Sequence, residues 1–152
     1  MSDAVSFTVP GDPVGWQRPG VDTRRGRPVL YTQDKTLKYE RKVARYALAA
    51  MWDIGARACT FTGPLVIVLR AYFKCPKSDE RKRIPAPERP HTKKPDLDNV
   101  VKMIDALSGV VFKDDAQIVK IAATKMIAAQ GQPGRPEITV RPYHERSLFD
   151  DD

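Results

Sequence analysis

The sequence predicts a small α+β domain in which two main helices pack on one mixed β-sheet of about four to five strands. Its 152 residues, 41% of them hydrophobic, suffice for one domain with one core. Helical and strand-like patterns follow one another in the order strand, short strand, helix, strand, helix, strand, strand, which is typical of this class. We expect a single domain over residues 1–142 and a frayed polar tail over residues 143–152.

The first half contains one strand, a loop, a short strand and the longest helix. Residues 4–9 alternate between apolar and polar side chains, which indicates a strand that ends at Pro10-Gly11. Residues 11–28 are expected to form a loop and residues 29–31 a short strand. A helix is predicted from Asp34 to about Ile54. Its expected buried face consists of Tyr39, Val43, Tyr46, Ala47, Ala50 and Ile54.

The second half alternates between strands and irregular or helical segments. Residues 65–73 are an almost continuous apolar run and are predicted to form a central strand. Four prolines between 75 and 94 exclude regular structure there, and a basic loop of this length is expected to bind a partner and to become ordered on binding. A helix is predicted over 98–107. Strands over 117–127 and 137–142 are expected to pair as an antiparallel hairpin.

The charge and the cysteine content restrict the function and the compartment. The formal net charge of +7 and the pI near 9.5 favour a polyanionic partner, although a merely solvated basic surface is the alternative. Two cysteines are too few for a metal framework and agree with a reducing compartment. We see no signal peptide, and the longest apolar run, 65–69, is too short to span a membrane. A cytoplasmic protein without a membrane partner is expected.

An acidic stretch over 95–117 is the most informative part of the chain. It contains five of the nineteen acidic residues of this basic protein: Asp96, Asp98, Asp105, Asp114 and Asp115. Pro95 suits a helix start, and Asp96 or Asp98 is expected to be the N-cap. From the extended lead-in, Asp96 would converge with Asp98 and with one of Asp114 or Asp115. Three such carboxylates would bind Mg²⁺, which activates water for phosphodiester hydrolysis.

Lys102 follows Asp98 by one helical turn and faces the same side. The spacing of Asp98, Lys102 and Asp105 at i, i+4 and i+7 places them on one helix face. Lys102 would neutralise charge that develops on a phosphate. The alternatives are structural: Asp96 as a simple cap, the paired aspartates as a turn, and Lys102 as an ion-pair partner of Asp98.

These motifs resemble the RusA family of Holliday-junction resolvases, and in particular its phage-type members, which are often prophage-encoded. The resemblance rests on Asp-Leu-Asp-Asn-x-x-Lys, on Asp-Ala-Leu and on Lys-Asp-Asp-Ala-Gln in the acidic stretch. Phe-Thr-Val-Pro-Gly, Gln-Arg-Pro, Tyr31-Thr32 and Tyr39-Glu40 in the N-terminal part also match. It covers about residues 7–140.

The resemblance implies roles for individual residues. Asp96, Asp98 and Asp115 would be the catalytic, metal-binding aspartates, and Lys102 the catalytic lysine. Lys125 matches a lysine often found on the following strand. The cofactor would be Mg²⁺, with Mn²⁺ as a substitute, and a homodimer would nick two strands of a four-way junction.

The sequence departs from the family pattern in two places. The spacing from Lys102 to Asp105 is one residue shorter, which puts the role of Asp105 in doubt. Some members have a basic residue immediately before the first aspartate, where this chain has Pro95; Lys93 and Lys94 lie just upstream.

Basic side chains in the two long loops are the predicted DNA contacts. Trp16, in the first loop, would either stack on a base or pack into the core. The predicted DNA-binding residues are Arg18, Arg24, Arg25, Arg27, Arg81, Lys82, Arg83, Lys93, Lys94 and Lys125.

The predicted function is Mg²⁺-dependent, structure-selective resolution of four-way DNA junctions by paired nicks, in recombination and repair. The alternative is a DNA-binding protein without hydrolysis, in which the aspartates are structural. A third hypothesis is a transferase that binds a nucleotide diphosphate through Asp-x-Asp. The basic charge and the lack of a glycine-rich nucleotide loop count against it.

Overall fold

The computed structural model describes residues 3–144 and confirms the α+β fold. A five-stranded mixed sheet has the order β1-β7-β4-β6-β5, and β2 and β3 form a separate two-stranded sheet. The strands are β1 Val5–Thr8, β2 Gly20–Asp22, β3 Val29–Tyr31, β4 Leu65–Phe73, β5 Arg89–Pro90, β6 Ile118–Ile127 and β7 Arg135–Pro142. The helices are α1 Asp34–Asp53 and α2 Leu97–Val101, with 3₁₀ segments at Lys77–Asp79, Lys102–Leu107 and Asp115–Gln117.

The predicted hairpin of the last two strands is wrong, because β4 lies between them. β6 pairs with β4 in parallel, and β7 pairs with the other edge of β4 in antiparallel orientation. The apolar run of β4 suits this central place, where a strand is covered on both faces. Since parallel neighbours need a crossover connection, the chain between β4 and β6 must cross the sheet. That crossover contains the acidic stretch.

Helix α1 packs on the sheet through a narrower stripe than expected. Val43, Ala47 and Met51 are buried in the core together with Leu65 and Ile67 of β4. Of the predicted face, Tyr46, Ala50 and Ile54 are only partly buried, whereas Thr36 and Met51 are fully covered. The buried residues Thr36, Tyr39, Val43, Ala47 and Met51 follow a spacing of three to four, so the contact stripe runs along one helical row.

Two predicted loops contain regular structure. Residues 11–28 include β2, which pairs with β3 to form a hairpin outside the main sheet. Val21 and Leu30 pair across this hairpin and are 55% and 71% exposed, so the hairpin is largely solvent-facing. The proline-rich segment contains one 3₁₀ turn and β5, whose two residues pair with β6.

The described residues contain no helix that is long and apolar enough to cross a membrane. Of the expected polar tail, residues 145–152 lie outside the described part. The amide of Tyr143 donates to the carbonyl of Pro64 at 2.9 Å, which fixes the chain just after β7.

Candidate active site

The first acidic segment, residues 95–98, leads into α2. Asp96 has an extended backbone (φ −69°, ψ 148°) and is the N-cap of α2, but its side chain makes no capping hydrogen bond. Its carboxylate instead accepts a hydrogen bond from Nζ of Lys94 at 3.0 Å, in an exposed ion pair. Asp98, in the first turn, is exposed and accepts no hydrogen bond from the described part of the chain. In the described part of the chain, neither carboxylate therefore accepts a hydrogen bond from a backbone amide.

Lys125 of β6 holds the backbone of this lead-in. Its Nζ donates to the carbonyls of Lys93 and Pro95, each at 2.6 Å, on either side of the cis Lys94–Pro95 peptide. The carbonyl of Lys125 accepts from the amide of His91 at 3.0 Å. Two of its three ammonium hydrogens are thus used within the protein. The predicted DNA contact of Lys125 stays a prediction, but the structure gives this lysine a role in fixing the position of Asp96.

The turn of the second acidic segment, residues 113–117, is held by hydrogen bonds between its own side chains and its own backbone amides. Asp114 is the N-cap of the 3₁₀ turn Asp115–Gln117, and its carboxylate accepts from the amide of Ala116 at 2.9 Å. Gln117 completes a capping box by accepting from the amides of Lys113 and Asp114, both at 3.1 Å. The bond from Ala116 lowers the pKa of Asp114 below its ordinary value. No N–H group in residues 3–144 donates to the carboxylate of Asp115.

The segment between the two is not the continuous α-helix that was predicted. Helix α2 ends at Val101, and Lys102–Leu107 is a 3₁₀-helix. In a 3₁₀-helix, residues three apart eclipse one another, so Lys102 and Asp105 share a face through the i, i+3 spacing.

Lys102 is not an ion-pair partner of Asp98 in the described part of the chain. Its Nζ lies 3.8 Å from the ring centroid of Trp16 and donates no hydrogen bond. Trp16 is half-buried, and its backbone amide donates to the carbonyl of Asn99 at 2.9 Å. Neither predicted position of Trp16 is observed as such: Lys102 lies over one face of its ring, and the ring is not part of the buried core.

Asp105 interacts electrostatically with Asp115 of the second acidic segment and with Lys102. Burial raises the pKa of Asp105, the charge of Asp115 raises it further, and the charge of Lys102 opposes both. Burial also raises the pKa of Glu40 on α1, and the charge of Asp105 adds to that shift. Sequence reasoning gave Glu40 no role. Its only sequence signal was its place in the Tyr39-Glu40 motif.

The donor set fits a hard divalent cation in its chemistry. Asp96, Asp98 and Asp115 offer carboxylate oxygens, the ligands that Mg²⁺ and Mn²⁺ prefer. Within residues 3–144, no three acidic, histidine or cysteine side chains are close enough together to hold an ion as they stand. All three aspartates are exposed, and exposed side chains rotate rapidly. A cation would also relieve the repulsion between Asp105 and Asp115.

Apart from Lys125, the predicted DNA-binding residues lie within residues 18–27 and 81–94. Arg18, Arg24, Arg25 and Arg27 are all exposed, and Arg24 also pairs with Asp22 in the β2–β3 hairpin at 3.0 Å. Arg81, Lys82 and Arg83 are also exposed. The proline-rich loop that carries them has its own anchor.

That anchor is Gln130, whose side-chain amide bonds the backbone of the loop. It accepts from the amides of Arg81 and Ala86, at 2.8 and 2.9 Å, and donates to the carbonyl of Arg81 at 3.0 Å. The loop is therefore bonded to the connection before β7. The side chains of Lys93 and Lys94 project beside the first acidic segment and are exposed.

Comparison with known proteins gives two matches. The family model described as Endodeoxyribonuclease RusA matches residues 10–141. The chain is also similar to the Uncharacterized protein YqaN of Bacillus subtilis (strain 168), with 32% identity over 146 residues that cover 91% of this chain and 96% of the relative. The family match contains both acidic segments, Lys102 and Lys125.

Proposed function

Because this chain belongs to the RusA family of endodeoxyribonucleases, we propose that it is a Mg²⁺-dependent endonuclease that resolves four-way DNA junctions by paired nicks. The observation that carries the proposal is the hydrogen bonding of three charged side chains. Asp98 and Asp115 accept no hydrogen bond, and Lys102 donates none, among the described residues between and around the two acidic segments. Because none of these three charged groups bonds a backbone group or forms an ion pair in the described part of the chain, they remain available to a metal ion or a phosphate.

The metal ligands in this proposal are Asp96, Asp98 and Asp115. A bound Mg²⁺, or Mn²⁺ in its place, supplies a Lewis acid for the phosphodiester and a water of lowered pKa. Lys125 holds the backbone that presents Asp96, through its bonds to the carbonyls of Lys93 and Pro95. The proposal leaves Asp114 out of the ligand set because its Oδ1 accepts the capping hydrogen bond from the amide of Ala116.

Lys102 acts on the phosphate in this proposal. Its ammonium has three N–H donors and no protein acceptor in the described part of the chain, so it is available to a non-bridging phosphate oxygen. Such a donor contributes most where negative charge develops in the transition state. Removing one donor of this kind typically costs about 100- to 1000-fold in rate.

The proposed assembly is a homodimer, and the proposed substrate is branched DNA. A four-way junction has two-fold symmetry, so two identical sites related by a two-fold axis would cut two strands at equivalent positions. Recombination and repair are the processes that generate such junctions. The exposed arginines of the hairpin and of the proline-rich loop would contact phosphates on the arms.

The deciding experiment is cleavage of a labelled four-way junction with Mg²⁺, Mn²⁺ or EDTA, next to a linear duplex that has the sequence of one arm. We expect paired nicks in the junction with either metal, none with EDTA and none in the duplex. Asp98→Asn is the matched control, since it should bind the junction without cutting it. Tight binding of the junction with no nicks under any metal condition would establish the non-hydrolytic alternative instead.

A salt titration tests the proposed phosphate contacts. Replacing Arg81, Lys82 and Arg83 by alanine should flatten the slope of log affinity against log salt by about 0.9 unit for each phosphate that the loop no longer neutralises. The measurement is junction binding by the Asp98→Asn protein over a range of salt concentrations. A slope that does not change would remove this loop from the DNA interface.

A further inference from the structure

Among the described residues, the Lys102 ammonium contacts an aromatic ring and forms no ion pair, although the charge of Lys102 acts on the nearby carboxylate of Asp105. Nζ lies 3.8 Å from the Trp16 ring centroid, well inside the range of about 6 Å for a cation–π contact. Asp98 is one turn away, yet no ion pair forms between the two side chains in the described part of the chain. A ring attracts a cation through its face and accepts no proton. The contact therefore fixes the ammonium without using its N–H donors.

The position of Trp16 is set by its backbone and its neighbours. Its amide donates to the carbonyl of Asn99 on α2 at 2.9 Å, and the amide of Gln17 donates to Oγ1 of Thr36 on α1 at 3.3 Å. Gly15 lies so close to Pro95 that an added Cβ would be 2.6 Å from the proline Cβ. Residues 15–17 are therefore held between both helices, directly beside the first acidic segment.

We propose that Trp16 is a positioning residue for Lys102, which it holds at the place where the phosphate of the scissile bond is bound. The inference rests on the proposed function, because it assigns Lys102 to the phosphate. A lysine side chain on a flexible four-carbon stem would otherwise sample many rotamers. The indole face limits that freedom and keeps Lys102 away from Asp98, so that the ammonium is neither neutralised nor withdrawn from the site.

This role differs from the two roles that the sequence left open for Trp16. A base-stacking tryptophan would change the affinity for DNA, with or without Lys102. A purely structural tryptophan would change the stability of the fold and would affect every activity equally. A positioning residue changes the rate of the chemical step, and only while Lys102 is present.

A double-mutant cycle separates these roles. The variants are Trp16→Leu, Trp16→Phe, Lys102→Ala and the double variant Trp16→Leu/Lys102→Ala, assayed in single-turnover junction cleavage with saturating enzyme. We expect Trp16→Leu to lower the rate by roughly 3- to 30-fold, the range of a partly buried cation–π contact, and Trp16→Phe to retain most of the rate because it keeps a ring face. In the Lys102→Ala background, Trp16→Leu should change the rate by less than about twofold.

The matched control is Trp52→Leu, since Trp52 is 82% exposed at the end of α1 and distant in sequence from both acidic segments. It should leave the rate and the junction affinity unchanged. An equal cost of Trp16→Leu in both backgrounds, or a loss of junction affinity without a loss of rate, would overturn the proposal.

A second measurement does not depend on cleavage. In the NMR spectrum, the ring current of Trp16 should shift the Lys102 methylene protons next to Nζ upfield, and Lys102→Ala identifies those signals. The shift should disappear in Trp16→Leu and persist in Trp52→Leu. Absence of the shift in the wild-type protein would refute the positioning role. Absence of junction cleavage together with a clear shift would instead count against the proposed function alone.

Discussion

The two acidic segments carry similar residues but are held in different ways. In the first, residues 95–98, the backbone is fixed from outside by Lys125, and neither aspartate side chain bonds its own helix. In the second, residues 113–117, the turn is fixed from within, since Asp114 and Gln117 bond its amides. Gln117 also donates to the carbonyls of Phe61 and Gly63, which ties the turn to the segment before β4.

The difference shows how the number of available carboxylates depends on what fixes the backbone. Where a distant lysine supplies the bonds, both aspartates remain free of the backbone. Where the segment supplies its own bonds, one of two adjacent aspartates is used for structure. The comparison therefore favours Asp115 over Asp114 as the ligand, a choice that their adjacency in sequence leaves open.

The largest effect should come from the aspartates that bond no backbone group. Asp98→Asn and Asp115→Asn are each expected to abolish cleavage while junction binding is kept or strengthened, because a negative charge near phosphate is removed. Asp114→Asn should retain activity, since asparagine is as good an N-cap as aspartate. The measurement is single-turnover cleavage of the labelled junction.

Asp114→Ala completes that comparison, because alanine removes the cap as well as the charge. It should lower the midpoint of urea unfolding while cleavage persists at low urea. The folded-state pKa of Asp114 is below its ordinary value, so this stabilisation is present above the unfolded pKa and is lost as the pH falls through the folded pKa. Full loss of cleavage in Asp114→Asn would contradict the distinction between the two adjacent aspartates.

An intermediate effect is expected from the lysine that fixes the first segment. Lys125→Met keeps the length of the side chain but removes both bonds to the carbonyls of Lys93 and Pro95. Residues that orient a metal ligand typically contribute about 10- to 100-fold to metal affinity or activity. We expect a loss in that range, with a higher Mg²⁺ concentration needed for half-maximal cleavage.

Lys38→Met is the control for this prediction, since Lys38 is an exposed residue of α1 and its loss changes the net charge equally. If Lys125→Met lost more junction affinity than Lys38→Met and kept the wild-type Mg²⁺ requirement, Lys125 would be a DNA contact and not a support for Asp96.

The smallest effect concerns Asp105, which lies between the two segments. Its pKa is raised in the folded state by burial and by Asp115, so the folded protein binds its proton more tightly than the unfolded chain does. Stability should therefore fall as the pH rises through the ordinary pKa and the raised one. Without divalent cations, Asp105→Asn should raise the urea midpoint at pH 7 more than at pH 4. An equal change at both pH values would show that ionisation of Asp105 does not destabilise the fold.

The sequence by itself determined the local elements with strong patterns. The helix Asp34–Asp53 and the strands Leu65–Phe73 and Val29–Tyr31 were predicted almost to the residue. In these elements, the apolar periodicity or the continuous apolar run shows from neighbouring residues alone which side chains are buried. The motifs around Asp96, Lys102 and Asp115 likewise sufficed to identify the family, because that signal lies in short stretches of chain.

Tertiary structure alone decided which residues from distant parts of the chain become partners. The predicted hairpin failed because β4 inserts between β6 and β7, and the pattern of a strand does not name its neighbour. The helix after Asp98 changes to 3₁₀ winding at Lys102, where the 3₁₀ segment packs against α1. The bonds of Lys125 to the lead-in of Asp96, and the ring of Trp16 against Lys102, join residues that are about 30 and 86 positions apart. Such contacts depend on where the folded backbone brings two side chains, and no local spacing in the sequence encodes that distance.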